Sequence, residues 1–165
     1  YDEKPYTGGK DCPDCPAMGI NWIQASKYCR WAGKRLPREE EWEAAARGVT
    51  SFFYPWGEVF LPLRSNLLGE EDGYLFSAPV GSFQSGSSAS GVMDMAGNVW
   101  EWVDSKKSTR PQPETRIVKG GGWTSDEKQA RISFRNHVNL KMKNPTFGFR
   151  CAKSLLKEKR NRAEK

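Results

Sequence analysis

Four cysteines are the side chains of this sequence with the widest chemical repertoire. Cys12 and Cys15 form a Cys-Pro-Asp-Cys motif near the start, whereas Cys29 and Cys151 stand far apart. A zinc site would need further ligands, and His137 is the one histidine that could supply one. Prolines precede and follow Cys15 and no helical pattern comes next, which argues against a thioredoxin-like dithiol. The motif therefore predicts either a local disulfide or two unreactive thiols.

Two further stretches offer oxygen ligands. Residues 65–74, SNLLGEEDGY, place three acidic side chains among turn residues, and residues 93–102, MDMAGNVWEW, add Asp94 and Glu101. Calcium takes roughly six to eight oxygen ligands, which carboxylates and backbone carbonyls of such loops can supply. On residue types alone, an exposed acidic turn is the simpler explanation of the first stretch.

Polar side chains also cluster late in the sequence, where Arg135, Asn136, His137 and Asn139 lie close together. A histidine beside arginine and asparagine could act as a base, but no nucleophile or orienting carboxylate is evident nearby. Such residues more often contact a ligand or form ordinary loop hydrogen bonds. A binding function is therefore the main expectation, and an enzyme with an unrecognised site is the alternative.

Two helices are expected to position these residues. Asn21 can cap a helix whose apolar positions Trp22, Ala25, Cys29 and Ala32 share one face, and a glycine at position 33 ends it. In the next stretch, KRLPREEEWEAAARG, the proline suits a first helical turn and three glutamates complement the helix dipole. The pattern predicts a second helix that closes at the glycine at position 48.

Loops and short strands follow. Residues 51–91 show no helical period, and so long an irregular stretch in a compact domain needs a bound metal or a disulfide to hold it. Strands are predicted at 98–103, 116–119, 130–135 and 148–152. Two early helices followed by short strands indicate the α+β class.

Composition limits the remaining possibilities. Aromatic residues reach 12%, with seven Trp, and 16 Gly with ten Pro favour a loop-rich domain over a helical bundle. The net charge is +6, and much of the excess lies in a basic tail that lacks the interleaved aromatics of a nucleic-acid-binding segment. We therefore expect a solvated tail and no nucleic-acid partner. No apolar run is long enough for a transmembrane segment, and the lack of a signal peptide suggests a processed chain.

Several stretches, in this order, resemble one protein family. They are NWIQASKYCRWAGKRLPREEEWEAAARG, YPWG, SNLLGEEDGY, APVGSF, GVMDMAGNVWEWV, KGGGW and FRNHVNLKMKNPTFGFRCA. The sequence resembles the formylglycine-generating-enzyme (sulfatase-modifying factor) family. The resemblance implies a C-type-lectin-like fold with two helices, short twisted antiparallel strands and long ordered loops. It divides the chain into an N-terminal extension or remnant at 1–17, the domain at 18–153 and the basic tail at 154–165.

The resemblance also implies that the two acidic stretches are calcium sites. It implies one site on Asn66 and Asp72 with the carbonyls of Leu67 and Tyr74. It implies a second on Asp94 and Glu101 with the carbonyls of Gly97 and Val99. Both ions would hold loops that lack regular hydrogen-bond ladders.

Cys29 and Cys151 match a pair that is disulfide-bonded in secretory members of the family. Such a bridge would close a loop of 122 residues (151 − 29). In the chain-entropy model this contributes roughly 4 to 5 kcal/mol. Two buried thiols in a reducing compartment are the alternative, but the pairing favours an extracytoplasmic protein, with a lipid anchor on a missing N-terminus as one way of attachment.

The family's oxidation chemistry uses two cysteines that bind copper between the Gly-Gly-Trp motif and the final strand. Residues 119–150 contain no cysteine, and Ser125 stands near the first position. A hydroxyl cannot replace a thiolate as a copper(I) ligand. We therefore expect a non-catalytic module that binds a protein or a small polar ligand.

The expected binding face is the segment 124–146. Some members of the superfamily carry residues varied by diversity-generating retroelements at this place, and the resemblance implies a surface-displayed variable protein as one form of the function. The ligand-contact residues predicted on and beside this segment are Trp123, Ser125, Arg135, Asn136, His137, Asn139 and Lys141.

Overall fold

The computed structural model describes residues 12–105 and 114–154. In chain order the elements are α1 (Trp22–Trp31), α2 (Glu39–Arg47), a 3₁₀ turn (Gln84–Gly86), β1 (Trp100–Trp102), β2 (Thr115–Lys119), β3 (Asn136–Asn139) and β4 (Phe147–Phe149). Two helices precede a small sheet, as the α+β prediction requires. The first eleven residues of the predicted N-terminal remnant and the tail from 155 to 165 lie outside the described residues.

Helix α1 begins with the predicted cap. The Asn21 side chain accepts a hydrogen bond from the Gln24 N–H at 2.9 Å, and the Gln24 side chain accepts one from the Asn21 N–H at 3.2 Å. This reciprocal capping box satisfies two main-chain donors of the first turn. Ala25 and Cys29 are fully buried, whereas Ala32 caps the C-terminus and is exposed. The predicted apolar face is thus confirmed except at its last position.

Helix α2 begins at Glu39, two residues after the proline that the sequence predicts in its first turn. Its N-cap is Arg38, so Pro37 precedes the helix instead of occupying its first turn. The Glu41 carboxylate accepts the Arg38 N–H at 2.8 Å and two hydrogen bonds from the Arg35 guanidinium at 2.5 and 2.7 Å. The guanidinium, as the main cause, lowers the pKa of Glu41 to about 2. A charged pair therefore holds the start of the helix in place of a side-chain cap.

The four strands form one sheet in the order β3-β2-β1-β4. Strand β2 pairs antiparallel with both β1 and β3, whereas β1 pairs parallel with β4. The prediction of antiparallel strands is therefore corrected for β4, and the sheet is mixed. A parallel neighbour requires a long connection, which the chain between the two strands provides.

The predicted strand at 130–135 is wrong. Ala130, Ile132 and Phe134 alternate with polar residues, which is the pattern of a half-buried strand. Their N–H groups instead bond to Asp126, Phe53 and Arg131 carbonyls, so the segment consists of consecutive turns. The strand of this region comes next, at β3, because before that point the N–H groups bond within turns or to the Phe53 carbonyl and not to a neighbouring strand.

The core lies on both faces of the sheet. Trp102 and Val118 pack with Ala25 and Cys29 of α1, while Trp42 of α2 packs with other residues. The latter cluster also contains Ala46, Met95, Val103, Ile117 and Ile132. Each helix therefore closes its own cluster of large side chains against the strands. No helix among the described residues is long and apolar enough to cross a membrane.

Candidate functional site

The structure brings the first predicted calcium-ligand set together in one loop. Asp72 organises it: one carboxylate oxygen accepts the Tyr74 N–H at 2.9 Å and the other accepts the Leu67 N–H at 3.3 Å. Asn66 is 1% exposed, and its side-chain amide donates to the Phe76 carbonyl at 2.7 Å. The two side chains and the two backbone positions of the prediction thus lie within one loop.

The side-chain oxygen of Asn66 is one of two unusual atoms in this loop, the other being the Ser65 hydroxyl oxygen. It is buried and has no hydrogen-bond partner among the described residues. A buried acceptor without a partner costs on the order of 1 to 3 kcal/mol, so such atoms normally bond to an ion or to water. An oxygen of this kind beside an aspartate suits a hard cation. The residues present therefore fit the calcium ion that the resemblance implies.

A positively charged side chain, that of Arg150, already occupies the second predicted set. Arg150 bonds to both oxygens of the Glu101 carboxylate, at 2.6 and 2.7 Å, and also donates to the carbonyls of Met93 and Asp94. The Trp42 indole N–H adds a third hydrogen bond to Glu101, at 2.7 Å. A calcium ion here would share Glu101 with the guanidinium, so this set fits the ion less well than the first.

Asp94 is the remaining carboxylate of the second set. Its side chain accepts the Gly81 N–H at 2.7 Å, and burial, as the main cause, raises its pKa. The charge of Glu101 acts in the same direction, and that of Arg150 opposes it. Two carboxylates and one guanidinium leave one net negative charge at this place. They border a cleft of about 540 Å³, which Cys15, Met93 and Val99 also line.

Neither predicted set contains three acidic, histidine or cysteine side chains. Among residues 12–105 and 114–154 no such group of three is close enough to hold a metal ion. A calcium site in this part of the chain would therefore depend on amide and main-chain oxygens, as the sequence-based prediction has it.

Ser125 is the residue that the resemblance puts near the first of the family's two cysteine positions, and its surroundings show what the hydroxyl does. The residue is 1% exposed, and its hydroxyl accepts the Gly122 N–H at 3.0 Å. Its carbonyl accepts the Leu68 N–H at 3.0 Å. The side chain therefore closes a turn and ties it to the Asn66 loop, which is a structural task.

Trp123 stands beside this turn. Its ring packs edge-on against Phe76 with 5.3 Å between centroids, and its indole N–H is buried without a partner among the described residues. Trp123 and Ser125 thus form one group with the Asn66 loop. The other predicted contact residues form a second group around β3.

That second group is mostly exposed. Asn136, His137 and Asn139 belong to β3, and Lys141 lies in the turn that follows, where its N–H donates to the Asn139 side chain at 2.9 Å. Arg135 directly precedes the strand, is 54% exposed and pairs with Glu39 of α2. The structure therefore gathers five of the seven predicted contact residues on one strand and its flanks.

All four cysteines are in disulfides. Cys29 and Cys151 are bridged, which joins α1 to the segment after β4. Cys12 and Cys15 form the local bridge that was one of the two predicted alternatives. Because the chain has four cysteines in all, no thiol is left for a soft metal ion.

A buried charged cluster near the sheet was not predicted from the sequence. Lys119 is 0% exposed, and its ammonium lies 2.8 Å from Glu43 and 3.9 Å from Glu39. Burial, as the main cause, lowers the pKa of Lys119, while the hydrogen bond with Glu43 opposes that shift. The ammonium also lies 5.8 Å from the ring centre of Trp42. The only sequence signal was a lysine directly before three glycines.

Fold and site together define a disulfide-bonded α+β domain whose irregular loops are joined by buried polar side chains. Its sequence matches the model of the sulfatase-modifying factor enzyme 1-like domain over residues 2–155. The chain belongs to this family, which confirms the resemblance seen in its motifs.

Relatives in the family include proteins named as enzymes and a protein named inactive. The chain is 37% identical over 163 residues to inactive C-alpha-formylglycine-generating enzyme 2 of Bos taurus, covering 90% of this chain and 53% of the relative. It is 34% identical over 181 residues to the formylglycine-generating enzyme of Thermomonospora curvata, covering 91% of this chain and 59% of that enzyme. The chain thus spans between half and two thirds of the length of these relatives.

Solved structures show the same fold. PvdO from Pseudomonas aeruginosa superposes with a TM-score of 0.73 at 29% identity, over 86% of this chain and 63% of PvdO. The P3c variant of the Major Tropism Determinant superposes with a TM-score of 0.54 at 17% identity, over 79% of this chain and 36% of that chain. The first is a formylglycine-generating-enzyme-like fold and the second a C-type-lectin-like one.

Proposed function

We propose that this domain is a non-catalytic module that binds a protein or a small polar ligand. The observation that carries the proposal is the state of the cysteines. Both pairs are bridged, and the position near the family's first catalytic cysteine holds the buried Ser125. A copper(I) site needs soft thiolate ligands, and this chain has none to give without breaking a disulfide.

The binding face in this proposal is the segment 124–146. Its exposed residues include His137, Lys141 and Met142, while Val138 and Leu140 between them are buried. A strand with one face in the core and polar side chains on the other presents those side chains on a rigid support. Display of this face at a cell surface, and variation of its residues, are parts of the same proposal.

Calcium is the cofactor that we propose for the loops. At the first site the ion would be held by Asn66 and Asp72 with the Leu67 and Tyr74 carbonyls, and the unpartnered Asn66 oxygen supports this choice. At the second, Asp94 with the Gly97 and Val99 carbonyls would bind the ion and share Glu101 with Arg150. The ions would order the loops and take no part in a reaction.

An extracytoplasmic location goes with this function. Disulfides persist in oxidising compartments and are rare in reducing ones. The two bridges, one of which closes a loop of 122 residues, support export of the domain. Their oxidation in the protein purified from its own source would be measured by counting thiols after denaturation without reductant.

Oxygen consumption tests the non-catalytic part of the proposal. The protein would be given copper(I) and a cysteine-containing sulfatase peptide, with an active formylglycine-generating enzyme as the positive control. We expect no turnover and no stoichiometric copper binding. Measurable conversion of the peptide cysteine would overturn the proposal and favour the alternative, an enzyme acting through an unrecognised site.

Affinity capture tests the binding face. The chain would be used as bait beside a variant carrying Arg135→Ala, His137→Ala and Asn139→Ala. We expect the variant to lose the captured partner while its melting temperature stays within a few degrees. Unchanged capture by a folded variant would place the binding face elsewhere.

A further inference from the structure

Strand β3 is an edge of the sheet, because the strand order places it outside β2 with no further strand beside it among the described residues. An edge strand presents unpaired main-chain N–H and C=O groups to its surroundings. Which of these groups face outward follows from the register of the β2–β3 pair, in which Ile117 lies opposite His137.

Both main-chain groups of Ile117 form hydrogen bonds on the β1 side of β2, away from β3. Its N–H donates to the Ser105 hydroxyl at 3.3 Å, and its carbonyl accepts the Val103 N–H at 3.2 Å. Neither group is left for β3, so Ile117 and His137 form a non-hydrogen-bonded pair of the ladder. The N–H and C=O of His137 therefore point away from β2, towards the open edge.

The same alternation fixes the neighbouring residues. The Leu140 N–H donates to the Glu114 carbonyl at 3.0 Å, so Leu140 bonds across to the β2 side and Asn139 does not. The Asn139 carbonyl accepts the Met142 N–H at 2.9 Å, which leaves its N–H at the edge. By this alternation the His137 N–H and C=O and the Asn139 N–H face the open edge, and none of them bonds to the main chain of a described loop or turn.

The side chains around this edge are basic. From Lys128 to Lys143 the sequence contains five Lys or Arg residues and no Asp or Glu. His137, Lys141 and Met142 are exposed, whereas Val138 is buried in the core. A partner at this edge would thus find three main-chain groups in a row, flanked by positive charge.

We propose that the partner of this domain is an extended acidic polypeptide segment that adds to the sheet as a strand beside β3. Strand addition uses main-chain hydrogen bonds for affinity and flanking side chains for selection. Acidic side chains of the incoming strand would lie near the exposed Lys141 and beside the Arg135–Glu39 ion pair, and the Met142 side chain offers an apolar contact. This inference rests on the proposed function and specifies the chemical class of its partner.

The probe is a fluorescent octapeptide of alternating Glu and Val, and binding is measured by anisotropy at low ionic strength with the whole 165-residue chain. A Glu-Pro peptide of the same length and charge is the control, because its prolines remove the donors of one strand edge and fix φ at about −65°, away from the β value, so the peptide cannot pair as a regular strand. We expect saturable binding of the Glu-Val peptide and at least tenfold weaker binding of the Glu-Pro peptide. Equal binding of the two peptides would mean that charge alone explains the binding, and it would overturn the proposal.

A pair of variants isolates the main-chain donor. His137→Pro removes the outward N–H without touching a β2–β3 hydrogen bond, and edge strands accept proline at such positions. His137→Ala removes only the side chain and keeps the donor. We expect the His137→Pro variant to bind the Glu-Val peptide at least about tenfold more weakly than the His137→Ala variant, a loss typical of one hydrogen bond at an interface. Weaker peptide binding by His137→Ala than by His137→Pro would overturn the proposal of strand addition.

Amide hydrogen exchange in the unsubstituted protein keeps the test decisive if His137→Pro fails to fold. We expect the His137 and Asn139 amides to become protected on addition of the Glu-Val peptide, with Val138 unchanged. Binding without that protection overturns the proposal. If capture of a partner depended on the Arg135 and Asn139 side chains alone, the broader binding function would stand. The extended acidic segment would then be excluded as its partner.

Discussion

At the scale of single residues, Lys119 shows most directly how burial and charge oppose each other in this domain. Its side chain is 0% exposed, a place where lysine is rarely found without a partner. Glu43, 21% exposed, provides that partner at 2.8 Å. Composition and periodicity cannot predict this pair, because the two residues are 76 positions apart and only the sheet brings them together.

Glu43→Gln should therefore destabilise the domain by about 2 to 3 kcal/mol at neutral pH, since it leaves the buried ammonium with Glu39, 3.9 Å away, as its nearest described carboxylate. The loss should shrink at alkaline pH. Burial lowers the folded-state pKa of Lys119, so above that pKa the unfolded chain binds more protons and stability rises with pH. Urea unfolding at several pH values would measure this. Glu40→Gln, an exposed change on the same helix, is the control and should have almost no effect.

At the scale of elements, the long loops are the part that sequence reasoning explains least. The absence of helical period in residues 51–91 predicts that a metal or a disulfide holds them. The structure shows a different device: the Asn98 side chain bonds to both the N–H and the carbonyl of Ala78, each at 3.1 Å. The Asn98 N–H in turn donates to the Asn66 carbonyl at 2.8 Å. Buried amides thus replace strand ladders, and such pairings cannot be deduced from residue types alone.

The helices were more predictable because their signals are local. Asn21 and Gln24 are three residues apart, so the capping box is visible in the sequence itself. Pro37 shows the limit of such signals: the sequence places it in the first turn, but the Glu41 carboxylate starts the helix at the residue after Arg38. Strand pairing depends on distant partners, which is why the segment at 130–135 was assigned to the wrong element.

Gly97→Ala tests how closely the loops approach each other. A Cβ at Gly97 would lie 2.2 Å from the Asn66 carbonyl oxygen, and the backbone there has φ of +74°. Gly91 has the same φ of +74° but nothing within 4 Å of its Cβ position. We expect Gly91→Ala to cost about 1 kcal/mol for the strained backbone alone. Gly97→Ala should cost at least about 2 kcal/mol more, as in other overpacked sites. Equal melting temperatures of the two variants would mean that the Asn66 loop is free to move away.

At the scale of the whole molecule, order and spacing of the motifs predicted the family and the α+β fold, and the structure added how the parts are tied together. The resemblance implied the Cys29–Cys151 bridge, which is present. The Cys12–Cys15 bridge was one of two open alternatives, since a short spacing allows a disulfide without requiring it. The predicted ligand and metal residues were placed by the structure, but their roles stay predictions.

The two disulfides should differ in their contribution to stability because they close loops of very different length. The Cys29–Cys151 bridge joins residues 122 positions apart, and the Cys12–Cys15 bridge joins residues three positions apart. In the chain-entropy model the first contributes roughly 4 to 5 kcal/mol and the second about 2 kcal/mol. We therefore expect the double variant Cys29→Ser/Cys151→Ser to unfold at a markedly lower urea concentration than Cys12→Ser/Cys15→Ser. Both would be compared with the unsubstituted chain by urea unfolding without reductant. Similar midpoints for the two variants would show that the chain around the long bridge is held by its core contacts and not by loop closure. A larger loss for the Cys12–Cys15 variant would mean that the segment leading into α1 depends on its local bridge to dock against the cleft beside Asp94.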